Sequence, residues 1–98
     1  MSRPVTLRPE ADADIQVIHD ELEQSQAGVG DRFIDRVLEV FERIEAMPEI
    51  HGLVWHDVRA ARLRKFRYVV YYVVFADRVE VLGVLHGSRD GSVWQSRV

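Results

Sequence analysis

Two apolar stretches near the C-terminus constrain the fold more than any other part of the chain. "RYVVYYVVF" (67–75) and "VEVLGVLH" (79–86) are rich in β-branched and aromatic residues, and only three residues separate them. Runs of this composition and length read as strands, and so short a gap pairs them as an antiparallel hairpin. With Ala76-Asp77 as a two-residue loop, Phe75 faces Arg78 and Arg67 falls opposite His86. One hairpin face then carries Tyr68, Val70, Tyr72 and Val74 against Leu85, Gly83, Val81 and Val79. It holds no charge and suits a position beneath helices. The other carries Arg67, Val69, Tyr71, Val73 and Phe75 against His86, Val84, Leu82, Glu80 and Arg78. That face is polar at its ends and apolar in its middle, a surface for a partner chain to cover. Ala-Asp lacks the glycine that two-residue turns favour, and a three-residue loop sets Tyr68 opposite His86 instead.

Upstream, the period changes from two to 3.6. "VTLR" (Val5 to Arg8) is a short strand, and Pro9 then opens a helix, with Glu10, Asp12 and Asp14 near the positive end of its dipole. Ala11, Ile15, Ile18 and Leu22 fall on one face of that helix, which runs to about Gln26. After "AGVG", Phe33, Val37, Val40, Ile44 and Met47 repeat the pattern, widened by Ile34, Leu38 and Phe41, until Pro48 stops the second helix. A five-residue connection makes the pair an antiparallel hairpin. "RLR" (62–64) is a further short strand candidate. The expected fold is α+β over one domain, residues 1–98: an N-terminal strand and a helical hairpin packed on a small, mainly antiparallel sheet, in the order β-α-α-β-β-β.

Composition limits what such a domain does. With 98 residues, 47% of them apolar, the chain can bury a core without covalent staples. It has no cysteine, which excludes disulfides and thiolate metal sites and fits a reducing compartment. The longest apolar run, Tyr68 to Ala76, is too short to span a membrane, and "MSRPVTLRPE" lacks the apolar stretch of a secretory signal. A cytoplasmic location and no membrane partner are therefore expected. His19, His51, His56 and His86 are scattered without ligand spacing, so neither a metal nor a cofactor is expected. The net charge of −3 divides unevenly: residues 1–50 carry 5 basic and 12 acidic side chains, residues 51–98 carry 8 and 4. Contact with nucleic acid belongs to the second half, because Lys and Arg supply phosphate affinity.

The last strand ends in "HGSRD" (86–90). From the residues alone, this is either a strand terminus closed by a local turn or a functional site. The basic run Arg59, Arg62, Arg64, Lys65 and Arg67 is likewise either a strand edge protected by charge or a contact surface. Trp55 and Trp94 are either interface anchors or members of small satellite clusters.

With its element order, Arg32-Phe33 opening the second helix, Pro48 and Gly52 after it, "FRYVVYYVV", and "VLGVLHGSRD" followed by Trp94, the chain resembles the RelE/ParE superfamily of bacterial type II toxins. Its ParE and plasmid-stabilisation branch commonly shows "VLHGxRD" at the end of the last strand, matched here by Val84, Leu85, His86, Gly87, Arg89 and Asp90. Two positions depart: Arg67 stands where that branch often has proline, and Glu21 where many members carry an aromatic residue.

The resemblance implies one of two activities and a cognate antitoxin as partner. RelE-like members are endoribonucleases that cut messenger RNA on the ribosome without a metal; ParE-like members poison DNA gyrase and need no catalytic triad. Metal-free RNA cleavage requires a base, a cation and an acid, parts that His86, Arg67, Arg89 and Tyr71 can supply. Against that reading stand the acidic net charge and a single lysine, Lys65. Gyrase poisoning is therefore the favoured function, with Arg62, Arg64, Lys65, Arg67, His86 and Arg89 as the target contact and Val69, Tyr71, Val73, Leu82 and Val84 as the antitoxin contact. A ribosome-dependent nuclease is the first alternative, and a non-toxic binding module that keeps the fold is the second.

Overall fold

The computed structural model describes residues 3–98. Val5–Leu7 forms β1, and Pro9, within the first turn where a missing N–H costs nothing, opens α1 (Pro9–Ser25). The second helix, α2, runs Val29–Ala46, so Gln26, Ala27 and Gly28 alone connect the two, a tighter hairpin than expected. Both oxygens of the Glu23 carboxylate make this turn possible. They accept the N–H groups of Gly28 and Asp31, each at 3.1 Å, satisfying donors that the start of α2 would otherwise leave open. Those bonds hold the Glu23 carboxyl below its usual range. At Gly30 the helices touch: a Cβ there would lie 2.6 Å from the His19 carbonyl oxygen and 2.5 Å from Glu23 Cγ.

The helical phases follow the sequence, with two exceptions. Ala11 and Ile18 of α1 and Phe33, Val37, Val40 and Ile44 of α2 are buried, with Ile15, Leu22, Ile34 and Phe41 packed at their margins. Leu38 and Met47, expected on the buried face, are half exposed. Leu38 lies off the 33-37-40-44 stripe, and Met47 is already beyond the last helical turn.

Five strands form one mixed sheet in the order β1-β5-β4-β3-β2, where β2 is Leu53–Trp55, β3 Val58–Arg62, β4 Tyr68–Val74 and β5 Val79–His86. β1 lies parallel to β5 and the other pairings are antiparallel. The third strand starts earlier than "RLR" suggested. Val58 and Ala61 give it two buried positions against β4, whereas Leu63 to Arg67 are used in turning back. β2 was not anticipated, because a three-residue edge strand carries too little alternation to be read.

The hairpin register combines both sequence expectations. At the turn, Phe75 N–H donates to the Arg78 carbonyl (2.8 Å) and Val74 pairs with Val79, as a two-residue loop requires. Between Tyr71 and Tyr72 the register shifts by one, because Leu82 is a bulge residue on β5, and the far end pairs Tyr68 with His86. A one-residue shift exchanges faces. Val84 therefore joins Val79 and Val81 beneath the helices, while Leu82 and Leu85 point to the opposite side, reversing the expected places of Val84 and Leu85.

That opposite side is not open. A short C-terminal helix, α3 (Ser92–Gln95), lays Trp94 across it, its ring stacked on Tyr71 with centroids 4.6 Å apart and edge-on to Trp55 at 6.0 Å. Val58, Val69, Tyr71, Val73, Leu82 and Leu85 are buried in this second cluster. The face expected to need a partner is thus covered by the chain itself, and Trp55 and Trp94 belong to that satellite cluster. The C-terminus is latched where the bulge lies. Arg97 pairs with Asp14 (2.7 Å) and donates to the Leu82 carbonyl (3.2 Å), while Asp14 also accepts the Val84 N–H at 3.0 Å. Gly83 leaves the room, since a Cβ there would meet Arg97 Nη1 at 2.5 Å. Among the described residues no helix is long and apolar enough to cross a membrane.

Candidate target-binding clefts at the end of the sheet

His86 closes β5 and sits where two clefts meet. One, of about 290 Å³, lies between α1 and the end of β5; Asp14, Glu21, Tyr68, His86 and Arg89 line it. The other, of about 480 Å³, opens toward the β3–β4 connection; Arg62, Phe66, Arg67, Tyr68, His86 and Ser88 line it. The first mixes acids with bases. Among the described residues the second has no acidic side chain in its wall.

Local backbone explains this convergence. Gly87 N–H donates to the Arg67 carbonyl (2.7 Å), which ties the residue after β5 to the residue before β4. The chain then turns, with Arg89 N–H on the His86 carbonyl at 2.9 Å. Asp90 does not pair with Arg89. Its carboxylate accepts the Ser92 N–H (2.8 Å), a bond that lowers its pKa and starts α3.

The same turn fixes the histidine. His86 Nδ1 accepts the Ser88 N–H at 3.1 Å and lies 2.8 Å from Ser88 Oγ. A nitrogen that accepts an N–H must present its lone pair, so the proton of the neutral ring sits on Nε2. The other edge of the ring is therefore a hydrogen-bond donor. The ring itself stands edge-on to Tyr68, centroids 5.5 Å apart.

The six residues expected to meet the target do not form one patch. Arg62, Arg67 and His86 share the larger cleft, and Arg89 borders the smaller one with His86. Arg64 makes a two-pronged bond to Glu39 of α2 (3.0 and 3.2 Å), which together with Arg36 holds the Glu39 carboxyl at about 2. Lys65 occupies the left-handed turn at φ 65° and lines neither cleft. The four residues assigned to the nuclease alternative are likewise divided, for Tyr71 borders a third hollow of about 330 Å³ on the Trp94 side of the sheet. Burial pushes its phenol pKa up, partly offset by Trp94 and Arg62.

Of the five residues assigned to the antitoxin, Val69 and Tyr71 line that third hollow beside Leu53, Val54 and Trp94. Val73 and Leu82 are buried in the second cluster, and Val84 in the first. Phe66, Tyr68 and Ser88 were not singled out as site residues. Phe66 and Ser88 adjoin Arg67 and flank "HG", so proximity in sequence was the available signal. At the hairpin tip, His19, Glu23 and Asp31 come within 4.8 Å of one another. His19 bonds Asp20 and Asp31 at 3.0 and 3.1 Å, which raises its pKa, and the Glu23 carboxylate is engaged by the α2 backbone.

Comparison with known proteins gives this geometry a context. A search of curated protein sequences returns no match. Among solved structures, a chain of the chromosomal ParDE toxin–antitoxin system from P. aeruginosa superimposes with a TM-score of 0.77 over 87% of this chain and 96% of that one, at 12% identity. The family model of the ParE toxin of the type II toxin–antitoxin system parDE matches residues 5–91, from β1 to the residue before α3. A match over that span shows that the chain belongs to the ParE toxin family of type II toxin–antitoxin systems.

Proposed function

We propose that this chain is a growth-inhibiting toxin that acts by binding DNA gyrase, is neutralised by a cognate antitoxin, and does not cut RNA. The observation that carries the choice between targets is the state of His86. A general base for a 2′-hydroxyl needs a lone pair directed at the substrate, but the Ser88 N–H takes the Nδ1 lone pair and leaves a proton on Nε2. The ring is built to donate a hydrogen bond. The dispersal of His86, Arg67, Arg89 and Tyr71 over three hollows supports the same reading, as does a net charge of −3.

For the antitoxin, the exposed apolar residues are the natural anchors. Leu53 and Val54 are more than half exposed at the rim of the hollow that holds Val69 and Tyr71, and Val17 and Leu38 are exposed on the helical hairpin. An amphipathic segment crossing these points buries them without unfolding the toxin. To reach Val73 and Leu82 it would have to take the place of Trp94.

The test is expression of the chain alone and beside the adjacent antitoxin frame, with plasmid supercoiling and ribosome-associated RNA ends followed together. Growth arrest with loss of negative supercoiling, intact messages and rescue by the antitoxin is the expected result. Ribosome-dependent RNA ends with normal supercoiling would establish the nuclease alternative instead.

A further inference from the structure

We infer that the larger cleft is a binding site for an unpaired nucleotide strand, holding one or two phosphates and an exposed base. This deepens the gyrase reading, on which it rests: the DNA on which gyrase works is the source of such a strand, so the toxin contacts DNA as well as protein.

The wall of the cleft is almost one-sided in charge. Arg62 and Arg67 line it, and among the described residues neither has an ion-pair partner, whereas Arg8, Arg36, Arg64, Arg78 and Arg97 all do. Two unpaired guanidinium groups offer planar, multiple donors suited to phosphate oxygens. The His86 ring, with its proton on Nε2, adds a third donor and no competing acceptor.

Aromatic surface accompanies that charge. Phe66 and Tyr68 are only partly buried, and both belong to the wall. Phe33 props both rings from behind, edge-on at 5.9 and 5.4 Å. Braced aromatic rings beside free arginines are the composition of single-strand sites, where bases stack and the backbone is held by charge. A volume of about 480 Å³ lies within the roughly 300–1,000 Å³ of small-molecule pockets, enough for a nucleotide and too small for a duplex. A paired base keeps its faces stacked inside the helix and cannot use these rings. The acidic first half of the chain also disfavours an extended interface, which limits the contact to a few phosphates.

The test uses a fluorescently labelled six-nucleotide thymidine strand and a labelled hairpin duplex whose closed stem stays paired, with anisotropy read at low ionic strength. The single strand is expected to bind at least about tenfold more tightly than the duplex. For one or two phosphates, the log-log salt slope should lie between about −0.7 and −1.4. Arg62→Glu and Arg67→Glu should each weaken binding by about tenfold or more. Arg32→Glu, the same charge change on exposed α2 surface, should leave it nearly unchanged. Circular dichroism establishes that each variant is folded. Amide chemical shifts of the unmodified protein provide a readout independent of any variant: titration with the strand should move Arg67, Gly87 and Ser88. Equal duplex binding, shifts centred elsewhere, no binding at all, or tighter occupancy of these amides by a hexaglutamate peptide would each overturn the inference. Gyrase inhibition by a toxin that binds no strand leaves the gyrase reading standing and removes this one. Strand binding without any effect on gyrase does the reverse.

Discussion

Gly30 shows how one missing methyl sets the angle of the helical hairpin. Alanine is the better helix former by up to about 1 kcal/mol, so propensity alone favours Gly30→Ala. The added Cβ, however, would stand 2.6 Å from a backbone oxygen, that of His19, which cannot swing aside as a side chain can. Overpacking of this kind costs about 1–3 kcal/mol, more than the propensity gain. Gly30→Ala is therefore expected to lower the urea midpoint, and a raised midpoint would mean that the helices are free to separate. Phe33 is the converse case. It is fully buried, and truncation leaves a void beneath Phe66 and Tyr68. Phe33→Ala should cost about 3–5 kcal/mol in equilibrium unfolding, and an unchanged midpoint would contradict the helix packing described.

At the scale of elements, the bulge at Leu82 and the cover formed by α3 belong together. The bulge brings Leu85 to the side where Leu82 already lies, away from the helices, and Trp94 shares that cluster with both. Because α3 has four residues and is held mainly by Trp94 and Arg97, it can detach while the sheet stays folded. Trp94→Ala should thus speed trypsin cleavage after Arg89 by about tenfold or more, with a much smaller change in the urea midpoint. Equal losses in both would show that α3 is part of the cooperative core. These two elements were also the least legible in the sequence. The helices, β4 and β5 announce themselves by long, regular periods, and the face beneath the helices was read correctly for Tyr68, Val70, Tyr72, Val79 and Val81. A bulge has no such signature, since one extra residue leaves the composition of a strand unchanged while exchanging Val84 with Leu85. Nor does the sequence show that a C-terminal tryptophan folds back across the sheet. The candidate site was legible in part for a similar reason: His86 and Arg67 are brought together by a strand pairing that the sequence implies, whereas Arg64 is withdrawn by Glu39, 25 residues away along the chain.

For the whole molecule, charge governs both stability and recognition. The Glu39, Glu80 and Glu23 carboxyls are held below their ordinary range, by Arg64 and Arg36, by Arg8 and Arg78, and by backbone N–H groups respectively. A depressed carboxyl pKa stabilises the fold fully above the unfolded value near 4.5, and that stability is lost as pH falls through the folded value, about 2 for Glu39. The two shifted histidines act in opposite directions near neutrality. His51, lowered by burial and by Arg43, contributes above its unfolded value near 6.5 and loses that contribution as pH falls. His19, raised by Asp20 and Asp31, contributes below 6.5 and loses it as pH rises. Melting temperature should therefore fall as pH drops below about 4.5, modestly because these carboxylates are solvent-screened, and less in Glu39→Gln. A flat acid limb in the unmodified protein would contradict this. In recognition, the proposed role of the basic end of the sheet is to act by charge and donor geometry, without moving a proton. The most direct test is inhibition of purified gyrase supercoiling by His86→Gln, whose side-chain amide keeps a donor but does not titrate near neutrality. Half-inhibition within about threefold of the unmodified toxin is expected. Loss of a general acid or base would cost about 10²- to 10⁴-fold, and a defect of that size in a folded His86→Gln protein would contradict it.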